Sequence, residues 1–292
     1  ADMLKSYFIA ARPKTLPAAF VPVWVGCLLA WQSAGELDWY LALWTFLSAA
    51  AIQIATNFFN DAIDYERGAD TESRLGPRRV TVSGLLSRRA VYGGAWVCLM
   101  IACLCSLPLV QSRGWIIVVI GLPSLYLSYG YTGGSFPLAY LGLGEIFVIL
   151  FFGVVAVGGS YFVQAGTWDW PAGVLGLQVG LLSAILIAIN NLRDVEEDRK
   201  SNKKTLAVRF GSAVIHRLVT GFVVVAMILS LFGGLYGAPW FPVLSIPWFL
   251  MGLFCVRGVK AAPPSQLYNR FLAIAAIQLI LFAILFTVAV SL

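Results

Sequence analysis

Charge is what this sequence has least of. Only 12% of its 292 residues are Asp, Glu, Lys or Arg, while 60% are hydrophobic. A soluble domain carries about 25% charged residues, so no water-facing surface can be built from this composition. The chain is an integral membrane protein. Histidine is almost absent, with His216 alone, placed after a basic loop and expected at the surface. Cys27, Cys98, Cys103, Cys105 and Cys255 all fall inside apolar runs, with no CxxC spacing. That pattern excludes a metal centre built on soft ligands and reads as buried structural thiols. Alternating apolar and polar segments are missing too, which excludes barrel strands. No cleaved signal is expected, because Lys5, Arg12 and Lys14 precede an apolar run of full spanning length. Nucleic acid is not an expected partner.

What is present is a series of long apolar runs. A helix needs about 20 apolar residues to cross the hydrocarbon core. Nine runs qualify: Leu16–Ser33, Trp39–Phe59, Ala90–Val110, Trp115–Tyr131, Leu138–Phe162, Ala172–Asn191, Val214–Leu235, Trp240–Val256 and Phe271–Leu292. The fourth and eighth are short, and Pro242 and Pro247 interrupt the eighth, so eight spans is the alternative count. With nine spans and a cytoplasmic N-terminus, every cation except Arg113 falls on the cytoplasmic side, as the positive-inside rule requires. The expected architecture is an all-α, integral membrane bundle of about nine transmembrane helices, one membrane-embedded domain over 1–292. Its central cavity opens near the cytoplasmic face of the cell inner membrane.

The few acidic residues gather in two places on that face. At the end of the second run, two Asn-x3-Asp pairs interleave: Asn57 with Asp61, and Asn60 with Asp64. If the helix continues through them, residues three and four apart share a face and present carboxylates and amide oxygens together. Glu66, Asp70 and Glu72 follow, then Arg74, Arg78 and Arg79. Mixed charges are common in solvated loops, but Gln53, Thr56, Asn57 and Asn60 lie inside a membrane helix, where polar groups are expensive and usually face a cavity. The second cluster contains Asn190, Asn191, Asp194, Glu196, Glu197 and Asp198, followed by Lys203, Lys204 and Arg209. Asp194 and Asp198 are i, i+4, with Asn190 one turn earlier. Oxygen ligands without His or Cys suit Mg²⁺, and paired carboxylates beside cations suit a Mg²⁺–diphosphate. Glu145, at the start of the fifth run, is an intramembrane carboxylate placed to handle a proton or bind substrate. Tyr126, Tyr129 and Tyr131 are either interfacial anchors or ring faces that could stabilise a cation.

Asn60-Asp61-x2-Asp64 with Asp194-x3-Asp198 resembles the paired aspartate motifs of the UbiA superfamily of intramembrane aromatic prenyltransferases. Finer marks resemble its 1,4-dihydroxy-2-naphthoate polyprenyltransferase branch. They are Arg12-Pro13-Lys14-Thr15-Leu16, Gly76-Pro77 with Ser83-Gly84, Tyr131-Thr132-Gly133-Gly134 through Gly142-Leu143-Gly144-Glu145, and Asn190-Asn191-Leu192-Arg193-Asp194. The superfamily's first motif often has a third Asp where Gly68 stands here, with Asp70 as its stand-in. The resemblance implies transfer of a polyprenyl chain from polyprenyl diphosphate to 1,4-dihydroxy-2-naphthoate, with decarboxylation to demethylmenaquinol in menaquinone biosynthesis. It implies Mg²⁺ held by Asp61, Asp64, Asp70, Asp194 and Asp198, assisted by Asn60 and Asn190, with Asn57 and Asn191 as further substrate-binding candidates. Lys14, Arg78, Lys204 and Arg209 would pair with phosphate oxygens. Other readings are a different aromatic acceptor (4-hydroxybenzoate or homogentisate) and an ion-coupled transporter. A transporter would place its acidic residues near the midplane, not at one face. A CDP-alcohol phosphotransferase would carry an Asp-Gly-x2-Ala-Arg signature, which is missing.

Overall fold

The computed structural model describes residues 2–292 and is helical throughout, with no strand among the described residues. Eight described helices are long and apolar enough to cross a membrane. The 16-residue helix Trp115–Gly130 is a shorter ninth. The spans in order are Pro17–Ala34, Trp39–Glu66, Arg88–Arg113, Trp115–Gly130, Gly144–Ala165, Trp170–Arg193, Ser212–Tyr236, Phe241–Ala261 and Tyr268–Ser291. The chain is a multi-pass membrane protein.

Local chemistry sets the ends of these helices. The second span starts where Asp38 accepts from the Leu41 N–H at 3.0 Å, and the third where Ser87 accepts from the Ala90 N–H at 3.2 Å. Both are side-chain caps for backbone donors that lack a helical partner. The second span continues past the apolar run to Glu66, because nothing between Phe59 and Gly68 breaks a helix. The fifth begins later than its apolar run: Leu138–Tyr140 forms a 3-10 turn after Pro137, and the membrane helix starts at Gly144. The eighth is broken in two, Phe241–Leu244 and Ile246–Ala261, each with its proline in the first turn. Proline is tolerated there because that N–H has no helical acceptor.

The bundle closes on itself: the second span packs on the third, the fifth on the sixth, and the ninth on the first and sixth. The main buried core lies among the first, sixth, seventh, eighth and ninth spans and includes Leu182, Ile185, Trp248 and Phe282. The first five spans instead surround an apolar cavity of about 180 Å³, with Gln53, Thr56, Ser128 and Phe147 among its walls. At the end of the bundle opposite Asp61 and Asp194, Arg113 donates to the Val163 and Gln164 carbonyls at 2.7 and 2.8 Å, closing the C-terminal end of the fifth helix.

A π-helical stretch, Val148–Val155, carries the fifth span past the sixth. The two backbones touch at glycines. A Cβ on Gly180 would lie 2.5 Å from the Ile149 carbonyl oxygen, and one on Gly153 would collide with the Gly176 carbonyl. Small residues at such crossings let membrane helices gain backbone contact where no hydrophobic drive exists. Gly180→Ala should therefore lower the melting temperature in detergent, at a cost of about 1–3 kcal/mol for overpacking. Gly93→Ala, whose added Cβ meets nothing within 4 Å, should leave the melting temperature unchanged or raise it.

Candidate functional site

The second span delivers three carboxylates to one end of the bundle. Asp61 and Asp64 lie in its last turns, and both are buried. Gly68, with φ 68, ends the helix in the left-handed conformation that costs glycine nothing. The chain then doubles back, with the Ala69 N–H on the Asp64 carbonyl at 2.8 Å, and Asp70 turns inward. This fold-back is how a carboxylate two residues beyond Gly68 reaches the site.

The sixth span delivers the second cluster. Its helix ends at Arg193, and a short helix, Val195–Lys200, follows. The Asp198 N–H bonds the Asp194 carbonyl at 2.9 Å, which keeps the two aspartates one turn apart across the break. Two cations then join the clusters. Arg74 pairs with Asp70 and lies 3.1 Å from Asp194. Lys203 lies 3.6 Å from Asp64 and 3.8 Å from Asp198. Each cation thus bridges one carboxylate from each motif.

The remaining partners surround this pair. Asp194 receives both forks of Arg193, at 2.6 and 2.7 Å. Arg193 also donates to Asn190 and to Asn269, each at 2.7 Å, and Asn269 donates to the Leu75 carbonyl at 3.0 Å. Asp64 accepts from the Tyr140 hydroxyl at 2.8 Å. Asp61 has a different employment: it accepts from the Val80 and Thr81 N–H groups at 3.2 and 3.0 Å and from the Thr81 hydroxyl. Its oxygens hold loop 67–87 over the site. Arg12 stands 4.0 Å from Asp61; Arg79 stands 2.8 Å from Asp70 and 3.8 Å from Asp64.

Several guanidinium N–H groups find no acceptor. Arg12 Nη2, Arg74 Nε, and Arg79 Nε and Nη1 are buried without a hydrogen-bond partner, the Arg79–Asp70 approach being an ion pair whose N–H does not aim at the oxygen. Unpaired buried donors are costly; each of these arginines stands against one of the site's carboxylates, and an anion with several oxygens bound there would satisfy them. Among the described residues no three carboxylate, His or Cys side chains enclose an ion by themselves, since Arg74 and Lys203 stand between the aspartates. The oxygen-only donor set fits Mg²⁺, which commonly binds through one or two carboxylates and takes its other ligands from water and substrate phosphate.

Burial sets the proton affinities. The Asp198 carboxyl is pushed up to about 7, mainly by burial, with Lys203 pulling the other way. Burial alone would lower Lys203, but Asp64 and Asp198 outweigh it and hold its ammonium above the ordinary range. Burial lowers Arg12 to about 10, with Asp61 opposing. Burial and then Asp64 raise Tyr140, so its hydroxyl stays a donor.

Deeper in, Asn191 donates to Glu145 at 3.0 Å, and the other Glu145 oxygen is buried without a partner. The Tyr131 ring lies 4.9 Å from Phe147, a cavity wall. Asn60 accepts from Thr132, which fixes the loop after the fourth span. Asn57 donates to the Ala11 carbonyl and the Thr15 hydroxyl, both at 2.9 Å, and so holds the N-terminal segment that carries Arg12. Tyr129 packs edge-on against Phe59 at 5.4 Å, while Tyr126 is exposed. Lys14, Arg78, Lys204 and Arg209 are exposed. Arg209 is spent on the Lys204 and Leu141 carbonyls. Their place against the carboxylates is taken by Arg12, Arg74, Arg79, Arg193 and Lys203. The Asp70–Arg74 spacing of four could have flagged one of these; nothing in the sequence pairs Tyr140 with Asp64 or Asn269 with Arg193. His216 is half-buried, not fully exposed.

Fold and site define a polytopic membrane protein whose one end gathers carboxylates and guanidinium groups from separate helices near an apolar cavity. The model of the UbiA prenyltransferase family matches residues 19–280, and the chain belongs to that family. It is 38% identical over 255 residues to the 1,4-dihydroxy-2-naphthoate octaprenyltransferase of Mycobacterium tuberculosis, covering 87% of this chain and 81% of that one. It is 34% identical over 256 residues to the Escherichia coli protein of the same name, covering 83% and 82%. In fold it matches a UbiA homolog from Archaeoglobus fulgidus bound to GPP and Mg²⁺, with TM-score 0.71 at 17% identity over 98% of this chain and 100% of that one.

Burial brings the charge change of the Asp198 carboxyl close to neutral pH. An unperturbed aspartate has lost its proton above 3.8, whereas folded Asp198 keeps it to about 7. Between these values the metal-free fold holds a proton that the unfolded chain has released, so this group's contribution to stability falls as pH rises through that window. A cation that needs the carboxylate must displace the proton. If Mg²⁺ is held through Asp198, its affinity, measured by titration calorimetry, should rise with pH to about 7 and then level off.

Proposed function

We propose that the chain is a Mg²⁺-dependent aromatic prenyltransferase. It transfers a polyprenyl chain from polyprenyl diphosphate to 1,4-dihydroxy-2-naphthoate with decarboxylation, giving demethylmenaquinol in menaquinone biosynthesis. The reading rests above all on one observation: aspartates from two distant motifs meet at one site, with unsatisfied guanidinium donors around them. Relatives named for this acceptor support it.

In this reading Asp64, Asp70, Asp194 and Asp198 hold Mg²⁺, which supplies charge neutralisation to the diphosphate as the leaving group. Arg12, Arg74 and Arg79 turn their free N–H groups to phosphate oxygens. These contacts strengthen as negative charge builds on the departing oxygen, so they act on the ionisation step. Asp61 keeps loop 67–87 in place. Arg193, braced by Asn190 and Asn269, orients Asp194. The bond between the allylic carbon and its diphosphate oxygen breaks with its electron pair on the diphosphate, the aromatic ring bonds the allylic carbon, and the carboxylate leaves as CO₂, its bonding pair restoring the aromatic ring. Glu145, oriented by Asn191, takes the phenolic proton on its free oxygen during attack and returns it to the hydroquinol as CO₂ departs. Tyr131 faces the allylic cation, and the apolar cavity keeps water from it while housing the prenyl tail. The bundle sits in the cell inner membrane with this site and the N-terminus on the cytoplasmic side, the orientation that the placement of Lys and Arg favours.

Purified enzyme offered 1,4-dihydroxy-2-naphthoate, 4-hydroxybenzoate and homogentisate, each with one polyprenyl diphosphate, should prenylate the naphthoate. No turnover with that acceptor overturns the assignment. Asp64→Asn and Asp194→Asn should each lower kcat by at least ~10²-fold, as loss of a strong transition-state contact does, in protein that is less stable yet still helical and monodisperse in detergent. Full activity in both would remove the metal assignment.

A further inference from the structure

Outside the carboxylate cluster lies a second concavity, of about 370 Å³, walled by Arg67, Pro137, Tyr140, Leu141, Ser201, Asn202 and Lys204. None of these described lining residues is acidic, and two carry positive charge. Its walls are tied together: the Lys204 N–H donates to the Tyr140 carbonyl at 3.1 Å. Arg209 reaches across to the Lys204 and Leu141 carbonyls at 2.9 and 3.2 Å. Asn202 stands at φ 58 in the left-handed region, which non-glycine residues seldom adopt.

Tyr140 stands between this pocket and the site. Tyr140 lines the pocket while its hydroxyl donates to Asp64 on the inner side at 2.8 Å. Cations from both compartments lie on that ring: the Arg67 guanidinium 4.6 Å from its centroid and the Lys203 ammonium 5.2 Å away. A stepped series of positive charge therefore runs from Lys203 past Tyr140 to Arg67 and Lys204. The other routes from the site are poor ones for a polyanion. The cavity is apolar, and loop 67–87 is fastened by Asp61 to Val80 and Thr81 and by Asn269 to Leu75.

We infer that the Arg67–Lys204 pocket is a second anion-binding site, occupied by inorganic diphosphate on its way out, with Tyr140 as the partition it passes. The inference rests on the proposed prenyl transfer for the source of the anion. No bond is made or broken there; the pocket gives the departing diphosphate a charged station between the buried site and water.

The test is equilibrium binding of inorganic diphosphate, with Mg²⁺ present, to the full chain in neutral detergent. Wild type should take two equivalents. Arg67→Gln/Lys204→Gln should take one, with single-turnover transfer retained. Asn202→Asp, which adds a negative charge to the wall, should weaken the second equivalent by at least about tenfold, equal to ~1.4 kcal/mol. One equivalent in wild type, two undiminished equivalents in both variants, or a single-turnover rate that falls with the second site would each overturn the assignment. A parallel titration in phosphatidylglycerol vesicles separates the two phosphate sources. If that lipid displaces the second equivalent, the pocket is a headgroup seat and the exit role fails. Two equivalents bound by an enzyme that prenylates no naphthoate would sink the proposed function and leave the pocket standing.

Discussion

Everything at the capped end of this bundle depends on two cations crossing between two helix ends. Arg74 ties Asp70 to Asp194, and Lys203 ties Asp64 to Asp198. Like charges about 4 Å apart repel by ~4 kcal/mol at an effective dielectric of 20, so four buried aspartates cannot share a site without counter-charge. The bridges supply it, and they also fix the distance between the ends of the second and sixth spans. Because each cation holds one carboxylate from each motif, moving either helix end disturbs both pairs.

The loops act as the second constraint. Asp61 gives up its oxygens to Val80 and Thr81, Arg193 and Asn269 fasten Leu75, and Asn57 fastens the N-terminal segment. Polar residues in or near membrane helices are thus used twice. Some face the site, and others pin the lids that bring Arg12, Arg74 and Arg79 to it. The unsatisfied N–H groups of those arginines are the cost of gathering buried charge of both signs at one end of the bundle.

Dryness comes from the bundle. The glycine contacts between the fifth and sixth spans bring Glu145 and Asn191 within hydrogen-bond reach, and the aromatic wall at Tyr131 and Phe147 lies next to them. The charged end, Glu145 and the apolar cavity are therefore parts of one continuous arrangement, although they come from six different spans.

How much of this the sequence carried differs by element. Composition and run length determined the membrane class and the helical spans, because hydrocarbon thickness and backbone hydrogen bonding leave a chain so few choices. The Asn60-x3-Asp64 and Asp194-x3-Asp198 spacings placed Asp64, Asp194 and Asp198 on helix ends, since helical periodicity is local. Which cations meet them was not local. Lys14, Arg78, Lys204 and Arg209 are the phosphate partners expected from the sequence, but nothing local sets them above Arg12, Arg74, Arg79 and Lys203, because topology puts all of them on one face of the membrane. Only the fold-back at Gly68, the pinned loop 67–87 and the 3-10 turn that aims Tyr140 at Asp64 separate the two groups. The sequence by itself determined the membrane-spanning helices and the acidic residues at their ends. The tertiary structure decided the counter-charges, because loop paths depend on contacts between residues far apart in the chain.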